Sequence, residues 1–329
     1  MKRIEVVFIR LVGWRVCDVN AWLPGTACLA NSSMCMGDLS TMIHHIPHDV
    51  SDGLRRENAA HAEGVSEATL RAIYAREKAD KPLERFLQTA EGMQVAETMN
   101  QLRPESLILD IGPGEGNTSL LLAKAGHRVV VAEPALCLCQ IIEKRAEVHQ
   151  LALTIYNVNA ESLDRLPVRS FNACVFHASL HHCDDPVRAL TNCYDLLQEG
   201  GKAFLLNEPI LQFYKSKQAF YRLLEEKPEE LGHYGGNEHI YYFSEYLSML
   251  CEAGFQTAKG HPSNRYCNPA SYIRLLRAQN VPAKKIFARK LYYKGIQGLL
   301  RSGFVGRPVI SLLQRLSLLQ AYFVAEKVA

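Results

Sequence analysis

The run Leu107-Ile108-Leu109-Asp110-Ile111-Gly112-Pro113-Gly114-Glu115-Gly116 decides how this chain folds. Leu107 to Ile111 is apolar except for Asp110, as a strand covered on both faces should be. Three glycines at alternate positions let the backbone turn sharply and keep side chains out of the space in front of it. A helix is expected to start near Asn117 or Thr118. Strand, tight turn and helix together make the ligand-facing corner of a βαβ unit.

Outward from that corner the pattern alternates. Strands are expected over His127–Ala132, Leu153–Asn157, Ala173–His177 and Lys202–Leu206, with helices over Thr118–Ala125, Leu136–His149 and Val187–Leu197. Such alternation implies a mostly parallel sheet with helices on both faces. After Pro209 the rhythm changes: residues 210–228 read as helix, a glycine-rich loop follows at Gly232, then a helix over Ser244–Ala253 and a strand near Phe255–Lys259. A last strand is expected over Ala321–Val328. Upstream, helical spacing begins at Ser66 and continues over Pro82–Leu87 and Met93–Leu102, while the first 50 or so residues carry no clear period. The expected fold is α/β: a doubly wound, mostly parallel seven-stranded Rossmann-like sheet with a helical N-terminal segment and a helical C-terminal cap insertion. It divides the chain into an irregular or disordered extension (1–55), a helical segment (56–103), a ligand-binding core (104–261), a basic helical insertion (262–319) and a final core strand (320–329).

Charge is unevenly spread. The formal net charge is only +3, yet from Pro262 onward twelve Lys or Arg stand against one acid, Glu326. No stretch is apolar and long enough to span a bilayer, and acid and arginine interrupt the first residues where a signal peptide would need an apolar run. The ten cysteines include no CxxC pair, which fits reduced thiols in a cytoplasmic protein.

Two ligands suit the glycine corner, a dinucleotide or S-adenosylmethionine. The dinucleotide fingerprint needs a third glycine where Asn117 stands, and Asp110 before the turn opposes a pyrophosphate while suiting a sulfonium and an ammonium. Glu133 ends the second strand, where a carboxylate can accept both ribose hydroxyls. Taken with the landmarks downstream, the chain resembles the class I S-adenosylmethionine-dependent methyltransferases of the type 11 sort. Asp110 to Gly116 is similar to that family's first motif and Glu133 to its ribose-binding acid. Asn159-Ala160-Glu161 stands where the family usually has Asp-Ala-Glu, and an amide oxygen can still accept from the adenine amino group. Phe171-Asn172-Ala173-Cys174-Val175, Leu180-His181-His182, Leu197-Gln198-Glu199-Gly200-Gly201 and Tyr242-Phe243-Ser244 through Gly254-Phe255 resemble the later landmarks in order. The resemblance implies a methyltransferase using S-adenosyl-L-methionine, with Asp110, Gly112, Gly114, Gly116, Glu133, Asn159, Ala160 and His177 around the cofactor.

A hydroxyl acceptor also needs a base, and His177, His181 and His182 are the candidates, because the fourth strand's end faces the methyl group in such sheets. The bland reading of the adjacent pair is one packed ring and one solvated ring. His181, His182, Asp184 and Asp185 are too close in sequence to converge easily on an ion, and Asp185 suits a helix cap; no metal is expected. The strand lacks the N/D-P-P-Y/F run of amino-methyltransferases, its place taken by His177-Ala178-Ser179-Leu180. The expected acceptor is therefore a hydroxyl, or else an amine, on a small-molecule or saccharide-like compound, and nucleic acid is not expected. His233, Tyr234, Asn237 and His239 fall in a loop placed like a substrate lid, which reads equally as an ordinary glycine loop. In the basic insertion, Lys290, Lys294 and Arg301 share one helical stripe opposite Tyr292, Tyr293, Ile296 and Leu300, but Lys285 and Arg289 fall within the apolar arc. That surface suits an anionic substrate or peripheral membrane contact, or is a solvated face. An NAD-dependent oxidoreductase and a non-catalytic, partner-binding member of the fold are the other readings.

Overall fold

A computed structural model describes residues 41–63, 82–226, 237–266, 269–278, 280–303 and 306–328. The helix expected from Ser66, the first 40 residues, His233 and Tyr234 lie outside the described residues. In chain order the elements are β1 (Met42–His45), α1 (Asp52–Glu63), α2 (Pro82–Leu87), α3 (Ala90–Met99), β2 (Leu107–Ile111), α4 (Asn117–Lys124), β3 (Arg128–Ala132), α5 (Leu136–His149), β4 (Leu153–Asn157), β5 (Phe171–His177), α6 (Pro186–Leu196), β6 (Leu197–Leu206), α7 (Lys217–Glu226), α8 (Phe243–Glu252), β7 (Thr257–Pro262), α9 (Ala270–Ala278), α10 (Ala283–Arg301), α11 (Gly306–Arg315) and β8 (Ala321–Glu326).

The strands form one sheet in the order β1-β4-β3-β2-β5-β6-β8-β7. Pairings from β1 to β6 are parallel; β8 runs antiparallel between β6 and β7. The chain reverses strand order on either side of β2, and that point opens a crevice at the carboxyl ends of β2 and β5. Both faces are covered. One is packed by α6 and α8, through Leu190, Cys193, Tyr246 and Leu250 against Leu109, Phe176 and Phe323. The other is packed by α2 to α5, through Leu83, Val95, Leu121 and Ile142 against Ile108, Val131 and Phe204. Burial on both sides is why β2, β3 and β5 read as continuous apolar runs rather than alternating ones.

Two expectations are corrected. The sheet has eight strands, not seven, and residues 41–55 are not an irregular extension. Met42–His45 pairs with Thr154–Asn157 as a parallel edge strand, and α1 begins at Asp52. The edge position explains the miss: three of the four β1 residues are exposed, so no apolar run marks them. The insertion is helical as expected and carries a small core of its own, in which Tyr266, Ile273, Ile286, Tyr293, Ile296, Ile310 and Leu319 pack together. Among the described residues no helix is long and apolar enough to cross a membrane.

Candidate active site

At the crevice lies a cavity of about 530 Å3. Its floor is the glycine corner. Gly112 has φ +63°, and a Cβ there would stand 2.8 Å from Ser179 Cβ. Gly114 has φ +59° with nothing within 4 Å of where a Cβ would be, so the backbone faces open space. Gly116 lies outside the lining; its missing side chain makes room for Ile142. The corner is braced from below by Arg145, fully buried on α5, which donates to Glu115 O and to Asn117 Oδ1.

Carboxylates surround this floor. Glu133, at the end of β3, accepts from Gly114 N at 3.1 Å and Ala135 N at 3.0 Å. Burial, and then the charge of Asp110, raise its carboxyl to about 7. Asp110 does not line the cavity. It is fully buried beneath the turn, takes a 2.5 Å bond from Ser119 Oγ on α4, and is pushed by burial to about 7. Glu161 lines the wall and accepts from the backbone of Asp184 and Asp185. Asn159 and Ala160 also line it. The Asn159 amide donates to Asp49 O, while its Oδ1 is buried with no partner.

The three candidate histidines part company. His177, at the end of β5, lines the cavity beneath the Phe86 ring; its Nδ1 lies 2.8 Å from Thr118 Oγ1 and its Nε2 is unpartnered. Burial lowers its pKa, so the ring is neutral near pH 7. His182 lines the cavity too and donates from Nδ1 to Asn237 O; burial and then the neighbouring His181 take it to about 4. His181 lies outside the lining. It is clamped between Glu208 Oε2, 2.8 Å from Nδ1, and Glu238 Oε2, 3.5 Å from Nε2. Burial pushes its pKa down, but Glu208 and Glu238 more than reverse that. Both of its ring nitrogens face carboxylates and the ring does not line the cavity, so the geometry favours the other two histidines as bases.

Glu208 is what sequence reading missed. Fully buried at the end of β6, it accepts from Ser179 N, Leu180 N, His181 N and His181 Nδ1, which holds it below the usual carboxylate range despite burial. It pins the loop that carries Ser179 and His182 to the cavity wall. The backbone bonds that define its place leave no sequence pattern. Asn237 and His239 sit behind the same loop rather than in the cavity: Asn237 Nδ2 donates to His182 O, and His239 N donates to His181 O. His181, His182 and Glu238 each bring one ligand atom within 4.8 Å of the others; in His181 both ring nitrogens already face carboxylates. Asp185 caps α6 through Arg188 N with Pro186 in the first turn, as its type and place imply.

Residues 109–205 match the family model described as "Methyltransferase domain". The chain is 32% identical over 97 residues to ubiquinone biosynthesis O-methyltransferase of Coxiella burnetii, covering 30% of this chain and 41% of that protein. It is 34% identical over 94 residues to the protein of the same name from Cereibacter sphaeroides, covering 29% and 38%. The match thus spans about two fifths of the curated relatives' length. Among solved structures, phosphoethanolamine N-methyltransferase 2 of Haemonchus contortus, in complex with S-adenosyl-L-methionine, superposes with a TM-score of 0.50 at 15% identity, covering 81% of this chain and 61% of that one. At that identity the likeness concerns the fold alone.

Proposed function

The chain carries the domain of the class I S-adenosylmethionine-dependent methyltransferases, and on that premise we propose that it moves a methyl group to a hydroxyl, or else an amine, of a small-molecule acceptor. The observation that carries this reading is the set of groups around the 530 Å3 cavity. The backbone at Gly114 is bare, the Glu133 carboxylate is fixed by two N–H donors, and the Asn159 amide oxygen is buried and unsatisfied. These fit the cofactor. Gly114 would admit it close to the backbone, Glu133 would accept from its ribose hydroxyls, and Asn159 Oδ1 would accept from its adenine amino group. Asp110, with Oδ1 unpartnered beneath the turn, adds negative potential where a cation binds.

When bound, S-adenosylmethionine supplies a methyl group already activated on a sulfonium. The chain's own part is then to align the acceptor, keep water out and take a proton. Leu54 and Phe86 supply apolar lining to the cavity. His177 takes the proton: it is neutral, lines the cavity and keeps an unpartnered Nε2, whereas a ring held at about 4, as His182 is, is a weak acceptor near neutral pH. A hydroxyl acceptor draws support from the names of the curated relatives, both O-methyltransferases, and from the absent amino-methyltransferase run after β5.

Calorimetry with S-adenosylmethionine and with NAD, followed by incubation of labelled cofactor with candidate acceptors, tests the reading. Cofactor binding with transfer to a small molecule is expected, and His177→Gln should lower kcat by roughly a hundredfold or more, the usual worth of a general base, with cofactor binding kept. Tight NAD binding without S-adenosylmethionine binding overturns it, as does transfer only to nucleic acid or protein.

A further inference from the structure

The insertion closes around a second cavity, of about 230 Å3, on which Arg265, Tyr266, Tyr272, Arg289, Tyr292 and Tyr293 converge. Among the described residues no carboxylate lines it, and the sequence has none between Pro262 and Ala325. Arg289 broke the apolar arc of α10 when read as sequence. It shares that arc with the buried Tyr293 and Ile296 and lines the cavity, although it is exposed, as Lys290 and Lys294 are. The Arg265 guanidinium lies 5.5 Å from the centre of the Tyr272 ring. Its Nε is buried with no hydrogen-bond partner, and its bond to Asn207 Oδ1 is long, at 3.5 Å. The tyrosine rings pack on one another, Tyr266 against Tyr293 at 5.6 Å and Tyr272 against Tyr293 at 5.8 Å, so the walls are stiff.

Arg265, half-buried with an unpartnered Nε, and the exposed Arg289 thus line one small cavity with no carboxylate to neutralise them. An oxyanion suits such a place, because the planar guanidinium fork matches a carboxylate or phosphate with paired hydrogen bonds. The cavity also stands in the right place. Asn207 and Glu208 end β6, on the same sheet edge as His177. Gln320, which lines the second cavity, donates to Glu208 O at 2.6 Å, while the Glu208 carboxylate holds Ser179 of the first. The two cavities back onto one residue.

We propose that this second cavity is the subsite for an acidic group, a carboxylate or a phosphate, on the methyl acceptor; the assignment rests on the methyltransferase reading above. Inorganic phosphate titrated calorimetrically into the full chain tests the site, with S-adenosylmethionine titrated separately. Phosphate is expected to bind, and Arg265→Gln and Arg289→Gln each to weaken it roughly tenfold or more, the scale of one lost charge-assisted hydrogen bond. Both variants should bind S-adenosylmethionine as the parent does, which also shows them folded. A parent that does not take up phosphate, or variants that bind it unchanged, overturn the subsite. A parent that binds phosphate but not S-adenosylmethionine overturns the methyltransferase reading instead, and with it the acceptor. Matched acceptors with and without the acidic group separate a substrate group from a free anion. In Arg265→Gln the KM of the acidic acceptor alone should rise with kcat held, and equal KM values for the pair in the parent overturn the assignment.

Discussion

The two cavities are built on opposite electrostatic plans. The first sits on strand ends of the core and gathers acids, with Glu133 and Glu161 in its wall and Asp110 beneath its floor. Glu133 and Glu161 are both tied to backbone N–H groups. The second sits on helices of the insertion and gathers arginines with no acid beside them. The first suits a cation and the second an anion, and Glu208 links them through Gln320 on one side and Ser179 on the other. Carboxyls of the core are thus tied to the backbone before any ligand arrives, with burial holding Glu133 and Asp110 up at about 7, whereas charge in the insertion is left for a ligand to complete.

Removing the connector breaks the comparison most severely. Glu208→Ala strands His181 Nδ1 and three backbone N–H groups in a buried site. Denaturant unfolding should show a loss of about 3–5 kcal/mol, the usual result of breaking a buried ion pair, with both cavities affected. Gly114→Val acts on one cavity alone. The side chain meets no protein atom within 4 Å but projects into open space from a backbone at φ +59°. Stability should fall by about 1–2 kcal/mol, the strain of a left-handed residue, while S-adenosylmethionine binding is lost and phosphate binding stays.

The smallest effect sharpens the electrostatic difference. Burial raises Glu133 from 4.5 to about 7. Between those values the folded protein keeps a proton that the unfolded chain has released, so this group's contribution to stability falls as pH rises through that window. Glu133→Gln removes the titration. Its melting temperature relative to the parent should climb from pH 4.5 to 7 and then level off, and a difference that stays flat across that range refutes the shift. Asp110 is among the causes of the shift, so the two acids titrate as a pair.

Much of the core was legible because its signals are local. β2 and α5 run over Leu107–Ile111 and Leu136–His149 as their sequence implies, since an apolar run ending in glycines and a long helix after Glu133-Pro134 each declare their ends. The gathering of Gly112, Gly114, Glu133, Asn159, Ala160 and His177 around one cavity follows from the strand ends being aligned. What sequence could not supply were places defined by contacts across the fold. Arg145 and Glu208 are charges that the core buries by satisfying them with backbone groups, and no spacing marks that. His181 and His182 are neighbours in sequence, yet one ring faces two carboxylates and the other a backbone carbonyl and the cavity. Arg289 did leave a signal, as a basic residue on an apolar arc, but its meaning needed the cavity.

The edge strand β1 brings α1 with it, and two residues of α1, Leu54 and Asn58, reach the first cavity. Both lie outside the stretch shared with the family model, residues 109–205, as does Phe86. The glycine corner lies within that stretch and these three residues outside it. Asn58 is anchored by its amide to Pro134 O at 3.4 Å, leaving its own carbonyl oxygen buried and unmatched. A competitive inhibitor confined to the floor reads features held in common with the family, whereas one that extends to Asn58 and Phe86 gains its selectivity from a wall that this chain supplies from outside that stretch.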